Sequence, residues 1–177
     1  MLSPILDLEF ARGTCYNTRM KNSTAGYVLF LAVAGVVKVV MDCLPDEAVE
    51  MAFMRPAAHL AALYLGVKPE YSPLAISARG VVLEVTRACS ATDFFSILLA
   101  LLAIHLRVRR LLLRLGVALV SAWAVAILAN AARLATLVFA DRIFPASQWP
   151  LVHLIIGVVM FFSLFFAVYL AVVMQRV

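Results

Sequence analysis

Four long apolar stretches, separated by short segments that hold nearly all of the charge, leave this chain few ways to fold in water. A soluble domain gathers its apolar residues on one face of each element, and typically is about 45–50% hydrophobic and about 25% charged. Here the hydrophobic fraction is 65% and the charged fraction 14% over 177 residues. That composition, so distributed, implies lipid around the stretches and water around the links. The expected fold is all-α, a polytopic membrane helix bundle making a single integral membrane domain over residues 1–177. Its spans are expected at about 26–41, 90–106, 111–140 and 149–174, with an extracytoplasmic insertion over about 42–88.

Charge sets the orientation. The net charge of +5 does not point to nucleic acid, because the basic residues sit in short runs beside apolar stretches rather than along an aromatic-studded face. Arg12, Arg19 and Lys21 precede the first span; Arg107, Arg109, Arg110 and Arg114 fill the link between spans two and three; Arg176 follows the last. With four spans, all three groups fall on one side, which the positive-inside rule makes the cytoplasm. The expected location is the cell inner membrane, multi-pass. The first apolar segment follows Ser23 and Thr24 without an A-x-A-like cleavage site, so it is expected to remain as a helix. Lys38, near its outer end, can snorkel.

The insertion contains MAFMRPAAHLAALYLGV, tempting as a fifth span but with only about a dozen uninterrupted residues after Pro56, a length more typical of interfacial segments. A fifth crossing would also separate the basic groups. It is therefore expected to be an amphipathic helix on the outer surface, with Pro56 in its first turn. After it, LAISARGVVLEV is β-branched and broken by Arg79-Gly80, the pattern of a short hairpin.

On this topology Cys89 begins span two, His153 lies one turn into span four, and Arg133 lies about 10 Å below the outer end of span three. All three share a shallow layer on the outer side. An arginine inside a span costs at least ~2.5–3.5 kcal/mol and usually has a function. Snorkelling is disfavoured because its side chain leans toward the helix amino terminus, away from the nearer interface. The competing reading is a structural tie to a carbonyl or to Asn130, one turn earlier.

Cys89 by itself reads as a small buried hydrophobe, and a disulfide with Cys43, also outside, is a further alternative. A helix amino terminus with an arginine and a histidine nearby instead favours its thiolate. His153 alone reads as an interfacial histidine; beside Cys89 it becomes the base that takes the thiol proton and the acid that returns one to a departing amine. Arg133 would then stabilise an oxyanion or hold the substrate backbone. Asp93, four residues after Cys89, would orient His153, pair with Arg133, or serve only as a polar first-turn residue. His59 with Arg55 reads as a solvated helix face and His105 as interfacial, while Asp141, Arg142 and Gln148 are loop residues within reach of a substrate. The three cysteines Cys15, Cys43 and Cys89 form neither a metal motif nor a disulfide framework, and no metal or cofactor is expected.

Around these residues the sequence resembles the exosortase and archaeosortase family of membrane transpeptidases. The resemblance is carried by VTRACSATDFF around Cys89, ILANAARLATL around Arg133 and WPLVHLIIG around His153, and extends to LAISARGVVLEV and HLAALYLGV before them. The small number of spans is similar to short types such as exosortase K. The resemblance implies a cysteine protease or transpeptidase that cleaves a carboxy-terminal sorting signal (short motif, hydrophobic span, basic cluster) from its protein substrates. It implies Cys89 as thioester-forming nucleophile, His153 as acid/base, Arg133 as oxyanion or substrate stabiliser, and transfer of the product to an acceptor nucleophile. Ala91 stands where many members carry glycine. The runner-up is a non-enzymatic transporter or scaffold in which Arg133 binds an anionic substrate or lipid, although no internal repeat of the transporter kind is visible.

Overall fold

The computed structural model describes residues 26–105 and 110–173. Arg12, Arg19, Lys21, Arg107, Arg109, Arg176 and Cys15, used above, lie outside the described residues.

The fold is an all-α polytopic bundle carrying one small sheet. Among the described residues four helices are long and apolar enough to cross a membrane. They are α1 (Gly26–Cys43), the segment Arg87–His105 that ends in α4 (Thr92–His105), α5 (Leu111–Ala140) and α6 (Trp149–Val173).

Small residues set how closely the central pair packs. Ala118, Ala122, Ala126 and Ala129 lie along one stripe of α5 and are all buried, facing Phe94, Phe95, Leu98 and Leu102 of α4. Without bulky side chains on one partner, the two backbones can approach closely, the usual basis of helix association in lipid. Further along α5, Ile127, Ala131, Leu134, Ala135, Leu137 and Val138 enter a second cluster beneath the insertion.

The insertion carries the expected helix, packed on the bundle by one face. Helical structure begins at α2 (Asp46–Val49), passes through a π turn at Glu50–Met54 and continues as α3 (Arg55–Leu65). Pro56 is the physical reason for the turn: it has no N–H for the carbonyl of Ala52, and its ring crowds that carbonyl in a regular helix. Trp123 of α5 donates its Nε1–H to that carbonyl at 2.9 Å. α3 turns a stripe of Ala57, Ala58, Ala61 and Ala62 onto α5 and leaves Leu60, Leu63 and Tyr64 exposed on its other face. It stops at Gly66, in left-handed conformation at φ 72°, with Val67 N–H returning to the Ala62 carbonyl at 2.9 Å.

A hairpin follows, as expected, but with a third strand. The order is β1 (Pro69–Tyr71), β2 (Leu74–Ala78), β3 (Val81–Glu84), all antiparallel neighbours. Ala78 pairs with Val81 across Arg79 and Gly80, both at positive φ, which suits a two-residue hairpin turn. The Arg79 guanidinium lies 4.8 Å from the Phe139 ring centre, and Arg142 donates to the Arg79 carbonyl, so the hairpin tip is fastened to the end of α5.

Candidate active site

The sheet end of the bundle is where Cys89, Arg133 and His153 meet. Cys89 does not begin α4. It closes a separate 3-10 turn, Arg87–Cys89, and Ala91 at φ 58° breaks the chain from that turn into the helix. Arg87 anchors the turn to α1: one guanidinium nitrogen reaches the carbonyls of Met41, Asp42 and Leu44 at 3.1–3.3 Å, and another meets the Asp46 carboxylate. Met41 and Asp42 lie in the last turn of α1 and Leu44 just beyond it, so a guanidinium there acts as a cap. From the other side, buried Asn130 of α5 donates Nδ2–H to the Cys89 carbonyl. The amide cannot be flipped without setting its oxygen against that carbonyl oxygen, so Oδ1 faces the other way and has no partner.

Thus held, the Cys89 side chain is 5% exposed, and its Sγ lies 3.8 Å from His153 Nε2. Arg133, one turn after Asn130 on α5, brings Nη2 to 3.3 Å from both Nδ1 and Nε2 of the same ring. A nitrogen equidistant from both ring nitrogens cannot lie along either diverging in-plane lone pair, so the guanidinium rests against the ring face. Nε2 is thereby left to the sulfur. Arg133 Nε is buried without a partner.

A cavity of about 880 Å³ opens beside this cluster. Ser90, Ala91, Asn130, Arg133 and His153 line its upper part, and Leu154, Val158, Phe161 and Phe162 of α6 continue it downward. Cys89 is not part of the wall, whereas His153, its neighbour at 3.8 Å, is. Lys38, Asp42, Asp93 and Arg87 form a charged rim.

Several expectations need correction here. Among the described residues Asp93 makes no hydrogen bond or ion pair with His153 or Arg133; its carboxylate pairs with Lys38 at 3.0 Å. The left-handed break at Ala91 is the reason, since a four-residue spacing sets two residues on one face only within an unbroken helix. Lys38 is therefore an ion-pair partner of Asp42 and Asp93 rather than a free snorkelling cation. Cys43 and Cys89 are both free thiols, Cys43 exposed and Cys89 buried. Arg55 and His59 are engaged apart from the site, Arg55 with Glu50 at 2.8 Å and His59 with the Tyr71 hydroxyl at 3.4 Å. His105 Nδ1 lies 3.0 Å from the Leu101 carbonyl at the opposite end of α4. Asp141, Arg142 and Gln148 do not line the cavity. Sequence reasoning missed Arg87, whose only signal was a cation two residues before Cys89. Among the described residues no cluster of His, Cys, Asp and Glu suits a metal ion.

In chemical terms, a thiol beside an imidazole, with a guanidinium against the ring and a cavity alongside, is equipped for acyl transfer. The family model described as Transmembrane exosortase matches residues 51–170, a range that includes Cys89, Arg133 and His153. No curated protein and no solved structure matches the chain.

Proposed function

This chain belongs to the transmembrane exosortase family, a family of membrane transpeptidases that sort proteins, and from that premise we propose that it cleaves carboxy-terminal sorting signals through a Cys89 thioester. The observation that carries the reading is the 3.8 Å approach of Cys89 Sγ to His153 Nε2 with Arg133 against the same ring.

His153 takes the Cys89 proton as the sulfur attacks the scissile carbonyl; a C–S bond forms and the carbonyl π electrons move onto oxygen. Arg133 N–H groups stabilise that oxyanion or hold the adjoining backbone. Collapse breaks the C–N bond, the departing amine takes the proton from His153, and a thioester remains. An acceptor nucleophile gives its proton to His153 and attacks the thioester; the C–S bond breaks and the thiol is restored. Water as acceptor makes the outcome hydrolysis. Asn130 supports the reading by fixing the Cys89 turn. The proposed partners are protein substrates ending in a short motif, an apolar span and a basic cluster. The proposed location is the inner membrane, with the site on the extracytoplasmic side.

Co-expression with such a substrate tests it. Cys89→Ala should abolish processing, while Cys43→Ala should leave it intact. Undiminished processing by the Cys89 variant would overturn the catalytic assignment.

A further inference from the structure

Beyond the three residues assigned above, we infer that Gly157 is a positioning residue that sets where the Arg133 guanidinium sits. Gly157 is one turn after His153 on α6, so the two face the same neighbour. A Cβ added at Gly157 would meet Arg133 Nε at 3.3 Å, Cζ at 3.5 Å and Nη2 at 3.5 Å. The guanidinium thus rests partly on bare α6 backbone and partly on the His153 ring, and the contact at Gly157 accounts for the sealed Nε.

The other glycines among the described residues make the contrast. Gly26, Gly35 and Gly116 have open space where a Cβ would go, and Gly66 and Gly80 serve positive φ. Gly157 has neither open space nor positive φ, and glycine is among the poorest residues for a helix interior. The side chain that a Cβ at Gly157 would press on is that of Arg133. A methyl group at 157 forces the guanidinium to give by a few tenths of an ångström, away from α6 and relative to the Cys89–His153 pair.

The inference rests on the function proposed above, so the test has two arms. In the first, Gly157→Ala is compared with the unaltered chain for processing of a tail-bearing substrate. Misplacement by 1 Å can cost ~100-fold in rate, so a few tenths predicts a fall of roughly 3–10-fold in kcat with KM held. Alanine is the better helix former, so the loss cannot be charged to helix stability. The second arm needs no substrate: alkylation of Cys89 by iodoacetamide in the full chain carrying Cys15→Ser and Cys43→Ser. There Gly157→Ala should change the rate several-fold with Arg133 present and leave it unchanged in Arg133→Ala, the signature of two residues acting through one contact. Unaltered kcat in Gly157→Ala, or the same alkylation change with and without Arg133, overturns the inference. If the unaltered chain processes no tail-bearing protein, the proposed function falls, and alkylation alone decides the Gly157–Arg133 coupling.

Discussion

Ala91 shows how a single backbone angle aims a side chain. At φ 58° it occupies the left-handed region, which costs an L-residue with a Cβ roughly 1–2 kcal/mol. The angle persists because both flanks are held: Arg87 binds the end of α1, Asn130 binds the Cys89 carbonyl, and the Ala91 carbonyl receives the Phe95 N–H at 3.0 Å. Removing the Cβ relieves the strain and gives back part of the gain as unfolded-chain entropy. Ala91→Gly should therefore stabilise the detergent-solubilised protein by ~0.5–1 kcal/mol, read as a higher Tm. A lower Tm would mean that the Ala91 methyl group, which lines the cavity, contributes more by packing than the angle costs. The same angle explains a misread residue. Nothing in CSATD announces a break after Cys89, so Asp93 was assigned to the face of the cysteine when the chain turns it toward Lys38.

At the scale of elements, hydrophobic runs revealed the long helices because lipid demands them almost regardless of neighbours. The parts that were not legible depend on neighbours. β1 is Pro-Glu-Tyr, unremarkable by propensity, and is a strand because β2 offers it a partner edge. The seat of α3 on α5 was hidden because its alanine stripe is only weakly apolar; that contact follows from a small-residue fit, while Leu60, Leu63 and Tyr64 stay exposed. The π turn before Pro56 was invisible because the residue that satisfies the displaced carbonyl, Trp123, is 71 positions away. That dependence is testable. Trp123→Phe keeps an aromatic ring, smaller than the indole, and deletes the donor, leaving the Ala52 carbonyl to seek another partner at a cost of ~1–3 kcal/mol if it stays dry. Thermal unfolding should show the loss, and an unchanged Tm would mean that the carbonyl is satisfied without the indole.

The whole molecule is asymmetric along the bilayer normal, and α5 shows it best. Its 30 residues make a rod of about 45 Å at ~1.5 Å per residue, against a hydrocarbon core of roughly 30 Å. The surplus corresponds to its final third, where α3 and the sheet cover Leu134, Leu137 and Val138. At the other end Leu111, Leu112 and Leu113 are exposed, as lipid-facing residues should be. The covered final third and the bare first turn give α5 two unlike ends. Orientation can then be read from two positions at opposite ends. Cys43, exposed at the sheet end of α1, should react in intact cells with a membrane-impermeant maleimide in a chain lacking the other cysteines. A cysteine introduced as Arg110→Cys, exposed just before α5, should react only after permeabilisation. The reverse pattern would put the Cys89–His153 pair on the cytoplasmic side, where a sorting enzyme for exported proteins would not meet its substrates. Reaction of both in intact cells would mean that the charge bias around the spans had misassigned their number.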